Sequence, residues 1–196
     1  MSGGLPEGVA TAGDRKEPTM KRSLTILFTL AMFALPRGTA AQDVRDVAIA
    51  DEVGRVLTSY PRLTIFDDIN ATVENGAVVL TGKVTMPYKK DDLAARIGAI
   101  DGVRTFRNDV GVLPVSRYDD ELRYRVARAI YGNSSFWNYA AMANPPIHII
   151  VHGGHVTLAG VVNSNVERML ARSLATGLGE LSVTNALRLD GGARTD

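Results

Sequence analysis

One short stretch, present twice, decides the fold of this chain. Its first copy is Val73-Glu74-Asn75-Gly76-Ala77-Val78-Val79-Leu80-Thr81-Gly82, and its second copy is Val151-His152-Gly153-Gly154-His155-Val156-Thr157-Leu158-Ala159-Gly160. Apolar residues alternate with other residues on both sides of a central pair, which is typical of two strands joined by a tight turn. The pairs Asn75-Gly76 and Gly153-Gly154 can take the positive φ angles that a two-residue turn requires. We therefore predict a β-hairpin in each copy.

Helical periodicity is found before and after both hairpins. The expected apolar stripes before the hairpins are Ile49, Val53 and Leu57, and then Leu122, Val126 and Ile130. Those after the hairpins are Leu93, Ala94, Ile97 and Ile100, ending at Gly102, and then Val166, Leu170, Leu174 and Leu178, ending at Gly179. Asn163 or Ser164 can cap the last of these helices.

A final strand is predicted at the end of each copy. Its inward positions are Phe106, Asn108, Val110 and Val112 in the first copy and Val183, Asn185, Leu187 and Leu189 in the second. We expect the two asparagines to bond to nearby backbone groups, because buried polar groups need partners. The predicted fold class is α+β, with two tandem αββαβ modules. Each module has a small three-stranded mixed sheet and two helices packed on one face of it.

The N-terminal segment has the pattern of an export signal. Residues 20–41 begin with a basic pair, continue through the apolar run 23–35 and end in small residues, as a secretory signal peptide does. The alternative is a permanent anchor, which the short run disfavours because a spanning helix needs about 20 apolar residues. We predict cleavage near Ala41 and a periplasmic protein, and we expect residues 1–19 to be a mis-started extension.

Composition narrows the function classes further. The chain has 196 residues and no cysteine, which excludes disulfides, zinc-thiolate sites and thiol catalysis. Its formal charge is +1, and the excess of positive charge lies in the segment predicted to be removed. Nucleic acid is therefore not expected as a partner. The predicted domains are 46–113 and 118–190, joined by a linker at 114–117 and followed by a flexible tail at 191–196.

The repeated elements resemble those of the BON domain family. In the first copy they are Asn75-Gly76-x-Val78-x-Leu80-x-Gly82 and Gly102-Val103-x-x-Phe106-x-Asn108. In the second they are Gly153-Gly154-x-Val156-x-Leu158-x-Gly160 and Gly179-x-x-x-Val183-x-Asn185. The resemblance implies a periplasmic, non-enzymatic module that contacts phospholipid surfaces or envelope partners. Two copies behind a signal peptide resemble the osmotically inducible periplasmic proteins.

The second copy carries a candidate membrane-binding surface. Its first helix contains Arg123, Arg125 and Arg128, and the inserted segment 133–146 contains Phe136, Trp137 and Tyr139. Aromatic residues with a polar atom favour membrane interfaces, and each basic residue near an anionic surface contributes about 1 kcal/mol. We predict that these six residues bind anionic headgroups. Alternatively, Phe136 and Trp137 cover the core edge, and the arginines pair with Asp119, Asp120 and Glu121.

Three histidines form a second candidate site, on the second hairpin. His152 should lie opposite His155, with His148 on the same face, and neutral imidazoles bind Zn²⁺ or Cu²⁺. The first copy has Asn70, Glu74 and Ala77 at these places, so the module itself requires no metal. The alternative is a solvated hairpin, and we expect no metal or other cofactor.

The function predicted from these patterns is binding. We expect an exported envelope-maintenance or osmotic-stress protein that contacts anionic phospholipid surfaces through its second module. The alternative is an envelope protein–protein interaction or assembly module that uses an exposed sheet face, where Val79 and Ile150 are apolar and point outward. A homo-oligomer is compatible with either function. No catalytic residues are predicted, because the sequence contains no recognisable catalytic motif.

Overall fold

The computed structural model of the protein describes residues 40–190, with side chains from residue 42 onward. The predicted extension 1–19, nearly all of the predicted signal peptide 20–41, and the tail 191–196 lie outside these residues. Among residues 40–190, none of the helices has both the length and the apolar character needed to cross a bilayer.

Two successive α+β modules make up the described chain. The first contains α1 (Ala40–Ser59), β1 (Asp68–Glu74), β2 (Ala77–Val84), α2 (Pro87–Gly98), β3 (Thr105–Asn108) and β4 (Gly111–Val112). The second contains α3 (Arg117–Tyr131), a 3₁₀ turn (Ser134–Phe136), α4 (Trp137–Ala140), β5 (Ile147–His152), β6 (His155–Val162), α5 (Asn165–Leu174), β7 (Ser182–Asn185) and β8 (Arg188–Leu189). The tandem α+β architecture predicted from the repeat is confirmed.

Each module has a mixed sheet with the hairpin at one edge. β1 is antiparallel to β2, and both β3 and β4 run parallel to β2; β5 to β8 repeat this arrangement. The hairpin turns have the predicted geometry, with positive φ at Asn75, Gly76, Gly153 and Gly154. In each module, an aspartate in the helix before the hairpin accepts hydrogen bonds from both backbone amides of the turn. Asp46 holds Asn75 and Gly76, and Asp119 holds Gly153 and Gly154.

The last strand of each module differs from the prediction. It is divided into two short strands, so that each sheet has four strands rather than three. The side chain of Asn108 causes the break, because its Oδ1 accepts from the amide of Val110 at 3.2 Å while its Nδ2 donates to the carbonyl of Lys90. Asn185 does the same with Leu187 and Arg168. The backbone role expected for both asparagines is confirmed, and the interruption leaves Val112 and Leu189 exposed.

Two helices cover one face of each sheet, as predicted. The first core contains the α1 residues Ile49 and Val53 with Leu93 and Ile97 of α2, packed against inward residues of β2. In the second core, the predicted α3 stripe of Leu122, Val126 and Ile130 is fully buried.

The helix that follows the hairpin in each module departs from the predicted pattern. α2 and α5 end at Gly98 and Leu174, before the predicted stops at Gly102 and Gly179. Ser164 caps α5 by accepting from the amide of Glu167. Of the predicted stripe, Val166 is 75% exposed, whereas Leu170, Leu174 and Leu178 pack against the core beside the fully buried Ala171 and Ala175.

The segment between α1 and β1 joins the two modules. The carbonyl oxygen of Ile65 accepts from the amide of Ile149 at 2.6 Å, and the ring of Phe66 meets the edge of Tyr124 with centroids 5.3 Å apart. Both Ile65 and Phe66 pack against the core of the second module. This burial makes the two modules one packed body across residues 40–190.

A buried ion pair stabilises the end of this joining segment. The ammonium of Lys89 lies 2.6 Å from the carboxylate of Asp67, and both side chains are almost fully buried. Asp67 also accepts from the amides and hydroxyls of Thr64 and Thr85. Burial alone raises the pKa of Asp67, but these hydrogen bonds and the ammonium outweigh it and lower that pKa below its usual value.

Candidate functional site

The inserted segment places Trp137 on the surface of the second module. Its indole is 74% exposed at the start of the short helix α4, which contacts the end of α3. The hydroxyl of Tyr139 anchors α4, because it donates to Glu167 at 2.7 Å and accepts from the amide of Asn163. Trp137 is therefore held next to the N-terminal end of α5.

The other two aromatic residues of the predicted membrane surface lie inside the module. Phe136 has no exposed surface and Tyr139 is 6% exposed, and their ring centroids are 5.9 Å apart. Burial raises the pKa of Tyr139, and its hydrogen bond to Glu167 raises it further. Neither side chain can reach a bilayer surface, because the core covers it. This corrects the sequence-based set and agrees with the alternative for Phe136.

The three arginines of α3 have different environments. Arg123 is 4% exposed, forms an ion pair with Asp120 and donates to the carbonyl of Val151 at 2.7 Å. It is therefore not available to a membrane surface, which corrects the prediction for this residue. Arg125 is exposed, and its guanidinium lies 5.9 Å over the ring of Tyr118. Arg128 is exposed and has no carboxylate partner among the described residues. Arg125 and Arg128 therefore remain accessible to an anionic surface.

The sequence analysis missed two exposed apolar side chains on α5, the helix to which Tyr139 anchors α4. Val166 and Met169 of α5 are 75% and 65% exposed. They are three residues apart and so share one helix face. The sequence did contain a signal against the burial of Val166. Ala171 and Ala175 have the spacing of a second apolar stripe, which competes with Val166 for the buried face. We define the helical surface as Trp137, Val166 and Met169 with Arg125 and Arg128.

The three histidines do not form a metal site. His152 lies opposite His155 in the hairpin register, as predicted, but His148 pairs with Ala159 at the other end of the strand. The Nδ1 of His155 is 2.7 Å from the hydroxyl of Ser182, whereas that of His148 is buried without a partner. Within residues 40–190 no three His, Cys, Asp or Glu side chains are arranged to hold a metal ion. The metal candidate is therefore not supported.

The apolar sheet positions proposed for protein assembly are largely covered. Ile150 is 8% exposed, and Val79 is half-buried. Ile150 therefore offers little surface to a partner chain, in contrast to the expectation that it points outward into solvent.

Comparison with known proteins identifies the repeated unit. Residues 45–114 and 119–191 each match the family model of the BON domain, which is typical of envelope or periplasmic proteins. Among curated proteins, none matches this chain.

Similar solved structures include two of CdsD, a structural protein of the type III secretion system of Chlamydia trachomatis. The first is 13% identical, covers 72% of this chain and 92% of that chain, and has a TM-score of 0.28. The second, of the C-terminal domain, is 17% identical, covers 74% and 66%, and has a TM-score of 0.30. Likeness at this level carries no argument about function.

Proposed function

The chain belongs to the BON domain family, with two copies of the domain, and we propose that it binds anionic phospholipid surfaces through the helical surface of its second module. In this proposal the protein is exported to the periplasm, is not an enzyme, and supports envelope integrity under osmotic or other stress. The observation that carries the proposal is the exposure of Trp137, a large side chain held outside the core at 74% exposure.

The composition of the surface suits a membrane interface. An indole prefers the boundary between headgroups and acyl chains, because one side of the ring is apolar and its N–H remains hydrated. Val166 and Met169 add apolar area, and Arg125 and Arg128 can attract anionic headgroups. Tyr139 holds α4 beside Glu167, so Trp137 is presented by a fixed helix rather than a loose loop.

Protein assembly through a sheet face is the second candidate function. The low exposure of Ile150 removes part of its support, and the helical surface could equally contact an apolar protein partner. The salt dependence of binding distinguishes the two functions. Attraction between arginines and headgroups weakens as the salt concentration rises, whereas an apolar contact persists.

Vesicle co-sedimentation tests the proposal. The protein is used as recovered from cells, with its N-terminus read by mass spectrometry, and is mixed with phosphatidylglycerol-rich or phosphatidylcholine vesicles at low and high salt. We expect Arg128→Glu to reduce partition to anionic vesicles roughly tenfold, since reversing one charge changes the binding free energy by about 1–2 kcal/mol. Trp137→Ala should reduce partition to both kinds of vesicle.

Two exposed positions away from the helical surface provide matched controls. Arg107→Glu makes the same charge change in β3, and Tyr88→Ala removes an exposed aromatic ring in the first module. Both should bind vesicles as the parent does. The proposal fails if Trp137→Ala and Arg128→Glu also bind as the parent does.

A further inference from the structure

The first module has an open groove between α1 and the segment that follows α2. Its volume is about 910 Å³, and it is lined by α1, the hairpin turn, Arg96 and residues 99–104. Ile49, Ile100 and Val103 contribute apolar walls. None of these residues belongs to the helical surface of the second module, so the groove is a separate site.

Equivalent positions in the two modules can be identified from shared hydrogen bonds. Asp46 and Asp119 play the same part, because each holds its own hairpin turn. Arg45 of the first module therefore corresponds to Tyr118 of the second. Likewise, the amide of Arg104 donates to the carbonyl of Gly76 at 2.8 Å, as that of Leu181 does to Gly154. Arg104 therefore corresponds to Leu181.

The second module closes the space that is open in the first. The hydroxyl of Tyr118 donates to the carbonyl of Gly179, so its side chain bridges from α3 to the loop after α5. The guanidinium of Arg125 lies over the Tyr118 ring, and the side chain of Leu181 packs against Gly154. In the first module two arginines replace Tyr118 and Leu181, and the groove stays open. The groove is thus a feature of this copy rather than of the repeated fold.

The charges along the groove leave an excess of guanidinium groups. Arg45, Arg96 and Arg104 line it, and none of the three has a carboxylate partner among residues 40–190; Arg96 lies instead over the ring of Tyr60. A fourth arginine, Arg55, is paired with Glu52. The carboxylate of Asp46 is occupied by the turn amides.

Asp101 is the remaining carboxylate on the groove wall, and it is exposed and unpaired within the described chain. In total, the lining residues carry four guanidinium groups and three carboxylates, and three of the guanidinium groups have no carboxylate partner within the described chain. The net positive charge favours an anionic ligand.

We propose that this groove binds a phosphate monoester. Such a group carries about −1.5 to −2 charge at pH 7 and three acceptor oxygens, which matches guanidinium groups arriving from α1, α2 and the loop before β3. A phosphodiester and a carboxylate each offer only two terminal oxygens to the three guanidinium groups. The apolar walls leave room for the alcohol part of the ester, whether it belongs to a soluble metabolite or to a lipid such as phosphatidic acid.

Titration with sn-glycerol 3-phosphate, followed by amide NMR of the protein as recovered from cells, tests the proposal. We expect saturable shifts at the amides of Gly76, Gly102 and Arg104, and none with glycerol. Arg45→Tyr and Arg104→Leu, which copy the second module, should each weaken binding about tenfold, as expected for a lost charged hydrogen bond. Asp101→Asn should strengthen it about twofold. Arg188→Leu, an exposed change in β8, should bind as the parent does.

Separate measurements distinguish a lipid-borne phosphate from a soluble one, and the groove from the helical surface. Vesicles of phosphatidic acid whose binding is lost in Arg104→Leu would support a lipid-borne monoester, and glycerol 3-phosphate binding would support a soluble one. Trp137→Ala should bind glycerol 3-phosphate as the parent does, so failure of the membrane proposal leaves this one standing. The proposal is overturned if neither monoester binds, or if Arg45→Tyr and Arg104→Leu bind as tightly as the parent.

Discussion

Gly160 lies so close to the carbonyl oxygen of Pro146 that a β-carbon at this glycine would overlap that oxygen. Gly82 has the same relationship to the carbonyl oxygen of Asp68 in the first module. Both glycines have positive φ, 107° and 119°, and both lie where the second hairpin strand passes the start of the first. The glycine that ends the repeated stretch is therefore required by the backbone in each module.

Gly160→Ala and Gly82→Ala should each lower the free energy of unfolding by more than about 2 kcal/mol, since the left-handed conformation alone costs an alanine about 1–2 kcal/mol. The overlap adds to this because the paired strand must move. Urea denaturation measures the loss. Gly54→Ala is the control, because nothing lies within 4 Å of its missing β-carbon and alanine favours the interior of α1. Equal stability of Gly160→Ala and the parent would contradict the steric argument.

Lys89→Met should lower the free energy of unfolding by about 3–5 kcal/mol, because it leaves the carboxylate of Asp67 buried and unpaired. Arg107→Met is a control, since its ion pair with Asp109 is exposed and contributes about 0–1 kcal/mol. The double variant Asp67→Asn, Lys89→Met should lose less than the two single losses together, because the two groups interact directly. Strict additivity in chemical denaturation would show that they do not.

The stability contributed by Asp67 should depend on pH in the acid range. Its pKa is lower in the folded protein than in the unfolded chain, so folding is favoured when the group is ionised. The contribution is complete above the ordinary pKa of about 3.9 and fades as pH falls through the lowered folded-state pKa. The difference in unfolding free energy between the parent and Asp67→Asn, measured by urea titration, should therefore shrink below pH 4. A difference that stays constant down to pH 2 would refute this assignment.

Asp119→Ala should destabilise the second module by about 2–4 kcal/mol, because two amides lose a charged acceptor. Asp46→Ala should have a smaller effect, since Asp46 is only half-buried and water can replace it. Hydrogen exchange at Gly153 and Gly154 should accelerate in the first variant alone. Slow exchange at both amides in Asp119→Ala would be inconsistent with this anchoring role.

Phe66 and Tyr124 should couple the two modules. A double-mutant cycle of Phe66→Ala and Tyr124→Ala should give an interaction energy of about 0.5–1.5 kcal/mol, the usual range for edge-to-face aromatic pairs. The lower part of that range is expected, because Tyr124 is 64% exposed. Tyr88→Ala, another exposed ring, serves as the control for loss of an aromatic side chain. A zero coupling energy would mean that this contact does not join the modules.

The candidate site was only partly accessible to sequence reasoning. The sequence located Trp137 and the arginines in the second module, and the structure exposes Trp137, Arg125 and Arg128. The sequence could not show that Phe136 and Arg123 are buried while their neighbours are exposed. In a short irregular segment or on the flank of a helix, burial depends on packing against residues far away in the chain. Val166 was predicted to lie in the core because its spacing fits a helical apolar stripe. Ala171 and Ala175 fit a second stripe, and these two are the residues that the structure buries fully.

By itself, the sequence determined the repeat, the two hairpins, the order of helices and strands, and the family. These depend on local chemistry: positive φ in the turns, the alternation of strands and the periodicity of helices. The tertiary structure decided which arginines remain free, where Ile65 and Phe66 join the modules, and why one copy has an open groove and the other a filled one. Those properties arise from contacts between residues far apart in the chain, and local patterns carry no information about such distances.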